Sequence, residues 1–212
     1  MTIPETNGLY PDFGPDLNVA EIGVVTGAAG PGRRLVVWLQ GCAKRCPGCA
    51  NGPYLPIRAA RRVPVAEIAA LLAATADCAG ITLSGGEPLL QAAPLVPLLE
   101  MVRNRGLTTV CYTGYTQEEL MGPVATGFLS LVDLLIDGEY RRELGRGGVY
   151  RPSSNQRLHF LSGRIRPADC EAVAETVMEI GGARATVTGT LPVALRRLLR
   201  DRLRERGITT GL

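Results

Sequence analysis

The alternation of short apolar segments with helical ones constrains the fold of this chain more than any other feature. Strand-type runs are read at 17–25, 34–40, 80–84, 107–112, 132–136, 157–161 and 183–189. Helical periodicity is read at 65–76, at 95–105, from 117 with a second piece near 124–131, at 168–180 and at 193–206. Pro64 stands at the start of the first of these, where a missing N–H costs nothing. Strands separated by helices need crossover connections, and crossovers make neighbouring strands parallel. The predicted class is therefore α/β, with mostly parallel strands. Polar and glycine residues follow the carboxyl ends of successive strands: Gly85-Gly86-Glu87-Pro88, Thr113-Gly114 and Asp137-Gly138-Glu139. That rim is where α/β folds place their sites.

One more motif reaches the same rim. The run 34–40 leads into Gly41-Cys42-Ala43-Lys44-Arg45-Cys46-Pro47-Gly48-Cys49, which has three cysteines in eight residues. Thiolates are soft ligands that select iron–sulfur clusters, zinc or Cu(I). Structural zinc needs a fourth soft ligand, yet the chain has a single histidine, His159, on a strand-type run, and the other cysteines are unpaired in sequence. An electron-carrier cluster needs a fourth cysteine, which Cys78, Cys111 or Cys170 would have to supply. A [4Fe–4S] cluster held by Cys42, Cys46 and Cys49 leaves one iron open for chemistry. The glycine-rich turn at 26–33 lacks the Gly-Lys-Ser/Thr ending of a phosphate loop.

Composition narrows the setting. With 212 residues and 46% hydrophobic content the chain suits one domain with a full core. The expected divisions are an N-terminal arm at 1–16, a main domain at 17–191 and a basic helix at 192–212. A net charge of +3 gives no mandate for nucleic acid. No charged and apolar leader opens the chain, and no run long enough to span a membrane occurs. The expectation is a cytoplasmic protein with reduced thiols, where clustered cysteines bind metal or catalyse. Lys44 is the one lysine among 23 Lys and Arg residues, an imbalance that points to genomic coding bias ahead of adaptation.

The cysteine spacing, followed in order by Ser84-Gly85-Gly86-Glu87-Pro88, resembles the radical S-adenosylmethionine superfamily. Trp38-Leu39-Gln40-Gly41-Cys42, Cys111-Tyr112-Thr113-Gly114-Tyr115-Thr116, Asp133-Leu134-Leu135-Ile136-Asp137-Gly138 and Ser153-Ser154-Asn155-Gln156-Arg157 narrow the resemblance. Together they are similar to the activating proteins of anaerobic ribonucleotide reductases, relatives of pyruvate formate-lyase activating enzyme. The resemblance implies a radical S-adenosylmethionine core, a partial (β/α)6-type open barrel. It implies a [4Fe–4S] cluster on Cys42, Cys46 and Cys49, with S-adenosylmethionine on the open iron. Gly85, Gly86, Glu87, Thr113, Asp137, Asn155 and Arg157 are the residues expected around that cofactor.

The implied reaction is one-electron cleavage of the sulfonium to a deoxyadenosyl radical, which takes a hydrogen atom from a glycine of a partner glycyl radical enzyme. A flavodoxin or ferredoxin is the expected electron donor. Two alternatives stand beside it: a radical enzyme acting on a small molecule or ribosomal peptide, and a non-catalytic iron–sulfur protein. The arginine- and glycine-rich stretch 138–156, with Arg141, Arg142, Arg146 and Arg151, is read as a long loop facing a partner or the cofactor.

Overall fold

The computed structural model describes residues 14–145, 147–171, 176–181, 184–189 and 193–207. Most of the expected arm at 1–16, and Arg146, lie outside them. The first two strands, β1 (Leu17–Thr26) and β2 (Arg33–Leu39), form a hairpin across a turn closed by Gly27 N–H donating to Gly32 O at 3.0 Å. So short a connection permits only antiparallel pairing. After the cysteine loop come β3 (Arg61–Val63), α1 (Val65–Ala74), β4 (Cys78–Gly85), α2 (Ala92–Asn104), β5 (Thr108–Tyr112), α3 (Pro123–Leu129) and β6 (Leu134–Asp137). A long loop then leads to β7 (Arg157–Phe160).

These strands make one seven-stranded sheet in the order β3-β1-β2-β4-β5-β6-β7. The pairs β2·β4, β4·β5 and β5·β6 are parallel, and each is bridged by a helix. The pairs β3·β1, β1·β2 and β6·β7 are antiparallel. The sheet is therefore mixed, where a mostly parallel one was expected. It contains three β/α units in place of six, and it stays open at the edges β3 and β7.

Both faces of the sheet are covered, which explains why apolar residues point to both sides of its central strands. Leu35, Val37, Leu39, Ile81, Leu83, Cys111 and Leu135 face the three helices, packing with Ile68, Leu72, Leu95, Leu99 and Phe128. Val110, Leu134 and Ile136 face the other way, against Tyr150, Ile165 and Cys170 from the connections after β6 and β7. The buried Arg34 on β2 ties three strands by donating to Thr82 Oγ1 at 2.8 Å, Ile81 O at 2.7 Å and Thr108 O at 2.7 Å. Burial pulls its guanidinium down to about 10.

Two helical readings are corrected. The helix read from 95 begins three residues earlier, at Ala92. Pro94 falls in its first turn, where no intrahelical N–H bond is lost. The helix read at 168–180 does not form among the described residues: a 3-10 turn covers Pro167–Cys170, and Thr176–Gly181 is strand β8. β8 pairs with β9 (Arg184–Gly189) in a two-stranded antiparallel sheet, Thr176 opposite Gly189. β-branched residues in both arms favour that pairing over an isolated helix. The final helix, α4 (Val193–Glu205), stands where its arginine-rich periodicity put it. Among the described residues, no helix is long and apolar enough to cross a membrane.

Candidate metal centre

The cysteine loop leaves the end of β2 and returns to its own base. Gly41 N–H donates to Tyr54 O at 2.8 Å and Cys42 N–H to Leu55 O at 3.0 Å. Gln40 closes the base from beneath, its Nε2 donating to Pro56 O at 2.6 Å and its N–H to Asn18 O at 2.9 Å. Inside the loop, Cys49 N–H donates to Cys46 O at 3.2 Å and Gly52 N–H to Cys49 O at 3.2 Å. These turns need left-handed backbone at Gly48, with φ of 74°.

All three thiols are free; Cys42 is buried, and Cys46 and Cys49 are half-buried. Burial, then the charge of Glu87, pushes the Cys42 thiol up to about 11, and burial raises Cys49. Among the described residues, no three Cys, His, Asp or Glu side chains are drawn together as a ligand set. The structure thus places the three cysteines on one closed loop without gathering their sulfurs. Three soft, unpaired donors with no histidine in the loop fit an iron–sulfur cluster by their chemistry. Because metal is bound by thiolates, binding would release protons, including those that burial holds on Cys42 and Cys49.

The Gly85-Gly86-Glu87 segment lies directly against the base of that loop. Gly86 N–H donates to Leu39 O at 2.7 Å and Glu87 N–H to Gly41 O at 2.8 Å. A Cβ on Gly86 would meet Gly41 O at 2.1 Å, and one on Gly85 would meet Leu39 N at 2.5 Å. The glycines are therefore needed for two backbones to touch. The following turn, Pro88–Gln91, is held by Gln91, whose Oε1 accepts from Asn18 N–H at 2.7 Å while its Nε2 donates to Asn18 O at 3.0 Å.

Glu87 is 1% exposed and joins β4 to β5. Its carboxylate accepts from Leu89 N–H at 3.0 Å, Thr113 Oγ1 at 2.9 Å and Gly114 N–H at 2.9 Å. Burial raises it from 4.5 to about 7, against the pull of those donors. A carboxyl that holds its proton more tightly when folded stabilises the fold most at low pH. Its contribution is complete below about pH 4.5 and is lost as the pH rises towards about 7. The apo protein is expected to lose on the order of 2 kcal/mol across that window. Glu87→Gln should flatten the fall, as read by denaturant titrations at several pH values.

The remaining candidates sit at the ends of β5, β6 and β7. Thr113 is buried, its N–H donating to Ile136 O at 2.9 Å. Asp137 is 0% exposed, so it is no solvated turn carboxylate. It accepts from Gln117 N–H at 2.7 Å and Arg157 Nε at 3.0 Å, with His159 Nε2 at 3.0 Å. Burial pushes Asp137 up, but Arg157, the Gln117 N–H and His159 outweigh it and hold the carboxyl below its ordinary value. Arg157 continues to Glu118, with Nη1 on Oε1 at 2.9 Å and Nη2 on Oε2 at 2.6 Å.

The Ser153–Arg157 segment folds the long loop back onto β6. Gln156 Nε2 donates to Gly138 O at 3.1 Å, and Asn155 Nδ2 donates to Glu139 O at 2.8 Å. Asn155 Oδ1 is buried without a hydrogen-bond partner. An orphaned acceptor at this rim suits a ligand bearing an ammonium or hydroxyl donor. Arg142 crosses to the cysteine loop, its Cδ 3.3 Å from where a Gly48 Cβ would stand.

The structure thus joins Gly85, Gly86, Glu87 and Thr113 to the base of the cysteine loop, and groups Asp137, Asn155 and Arg157 at the neighbouring strand ends. Sequence reasoning missed Glu118, Glu119 and the part played by Lys44. The lysine's singularity was the available signal.

The 4Fe–4S single cluster domain family matches residues 28–159, from the turn before β2 into β7. Over 141 residues the chain is 30% identical to the anaerobic ribonucleoside-triphosphate reductase-activating protein of Escherichia coli K12, covering 62% of this chain and 91% of that protein. It is 32% identical over 136 residues to the protein of the same name from Enterobacteria phage T4, covering 61% and 85%. It is 31% identical over 127 residues to the pyruvate formate-lyase-activating enzyme of Clostridium pasteurianum, covering 56% and 53%.

Proposed function

Because the chain belongs to the 4Fe–4S single cluster domain family, we propose that it is a radical S-adenosylmethionine enzyme that activates a glycyl radical enzyme, of which an anaerobic ribonucleotide reductase is the leading candidate. The observation that carries this reading is the backbone junction between the three-cysteine loop and Gly85–Glu87. It brings the loop of thiol ligands and the polar strand ends together at one rim. The similarity to named activating proteins supports the partner class.

Cys42, Cys46 and Cys49 would hold the cluster. When bound and reduced, the cluster would supply the electron for cleaving one C–S bond of the S-adenosylmethionine sulfonium, the products being methionine and a deoxyadenosyl radical able to take a hydrogen atom from a glycine Cα. The chain's own residues position and exclude. Gln40 and Gly41 fix the base of the thiol loop. Glu87 holds Thr113 and Gly114 in place at the end of β5. Asn155 Oδ1 offers a free acceptor, and Asp137 with Arg157 keeps the ends of β6 and β7 together. A flavodoxin- or ferredoxin-type donor would return the electron, and the cytoplasm is the proposed location.

The test is anaerobic reconstitution with iron and sulfide, then dithionite and S-adenosylmethionine. Methionine and 5′-deoxyadenosine are expected in equal amounts, together with a carbon-centred radical on an added glycyl radical enzyme. Absence of 5′-deoxyadenosine from a loaded protein overturns the enzyme reading. Product without radical transfer to any such partner overturns only the activase assignment.

A further inference from the structure

We propose that Lys44 is a positioning residue that latches the middle of the cysteine loop to the ends of β5 and β6. Lys44 lies between Cys42 and Cys46 and is the one lysine in the chain. Its side chain is 17% exposed, with Nζ 3.4 Å from Glu119 Oε1 and 3.1 Å from Glu139 Oε1. The ammonium also stands over the Tyr115 ring, 4.4 Å from the centroid. Its stem runs across Gly114, where a Cβ would meet Lys44 Cγ at 3.0 Å. A slim alkyl stem ending in a compact cation suits this junction; a planar guanidinium is bulkier and spreads its charge.

Each contact comes from a segment that is itself fixed. Glu119 Oε2 accepts from Thr116 N–H at 2.7 Å, which orients the carboxylate. Gly138 N–H donates to Tyr115 O at 3.0 Å, so the two rim segments that present Glu119 and Glu139 move together. The loop's backbone tether to the end of β4, by contrast, lies at its base, where Glu87 N–H donates to Gly41 O at 2.8 Å. Lys44 therefore adds a charged tether within the segment that must present three thiols to one centre. Ligands are held in a productive geometry by such supporting contacts. Partly exposed ion pairs contribute little to global stability, so the effect belongs in cluster loading and potential. Losing the ammonium would leave the Glu119 and Glu139 carboxylates unpaired beside the loop, and uncompensated negative charge disfavours a more negative, reduced cluster.

The latch is testable in the apo protein; only its consequence rests on the proposed function. Lys44 carries the chain's one ε-amine, so acylation by an N-hydroxysuccinimide ester, located by peptide mass, reports it separately from the N-terminal amine. Acylation of the full-length apo protein is expected to be slow. It should become several-fold faster in the Glu119→Gln/Glu139→Gln double variant, with the unfolding midpoint unchanged. In anaerobic reconstitution at limiting iron, Lys44→Met should retain less iron and sulfide per chain, and its loaded fraction should show a lower reduction potential. Lys44→Arg should restore part of both.

The proposal is overturned if Lys44 in the native protein is acylated as fast as in urea. It is equally overturned if Lys44→Met matches the wild type in loading and potential. Protection of Lys44 in a protein that loads a cluster yet cleaves no S-adenosylmethionine supports the latch while sinking the functional reading.

Discussion

Cys46→Ala is expected to abolish iron and sulfide incorporation and, with it, all cleavage of S-adenosylmethionine. Three thiols on the closed loop are the whole local ligand set, and the loop contains no histidine that could substitute. Alanine offers no donor atom, so the loss should be complete. Cys42→Ala and Cys49→Ala should behave alike. Cys78→Ala is the matched control: that thiol lies on β4, its Sγ donating to Gly80 O at 3.2 Å, away from the loop. Iron and sulfide analysis with anaerobic absorption spectra measures the outcome. A Cys46→Ala protein that retains a full cluster would falsify the ligand assignment, and so would a Cys78→Ala protein that loses it.

Gly86→Ala should produce the second large effect, this time on the fold before any cofactor binds. The new methyl group would stand 2.1 Å from Gly41 O and 2.7 Å from Gly41 C, both backbone atoms of the loop's base. Neither can step aside as a flexible side chain would. Relief requires breaking the Gly86–Leu39 and Glu87–Gly41 hydrogen bonds, which join the end of β4 to the start of the thiol loop. The expected destabilisation is about 4 kcal/mol, in the range reserved for overpacking combined with lost buried hydrogen bonds. Chemical denaturation of the apo protein reads it directly. Gly127→Ala, a helical position with open space around the added carbon, should leave stability nearly unchanged. Equal stability of the Gly86→Ala and wild-type proteins would show that the two backbones are not in contact.

Much of this architecture was legible in the residue order, for a physical reason. The runs 34–40, 80–84, 107–112 and 132–136 are short, apolar-rich stretches separated by helical periods. Local chemistry of that kind specifies crossovers and therefore the parallel centre β2-β4-β5-β6. The edges were not legible. Whether β1 and β7 run with or against the central strands depends on connection geometry, and both return antiparallel. Thr176–Gly181 shows the same limit: its composition allows a helix, and pairing with Arg184–Gly189 makes it a strand. At the site, cysteine spacing and the order of the motifs could be read directly. The burial of Glu87, the pairing of Asp137 with Arg157 and the orphaned Asn155 Oδ1 could not, because each depends on which distant strand end lies opposite.

The sequence by itself determined the clustering of three thiols in one loop, the rim on which that loop sits and the order of the motifs around it. These follow from residue type and spacing along a covalent chain. Only the tertiary structure decided that Gly85 and Gly86 are points of backbone contact, that Glu87 is a clamp between strand ends and that Lys44 reaches across to Glu119 and Glu139. Close packing made those decisions, bringing segments tens of residues apart within hydrogen-bonding distance, where desolvation and mutual charge set each group's behaviour.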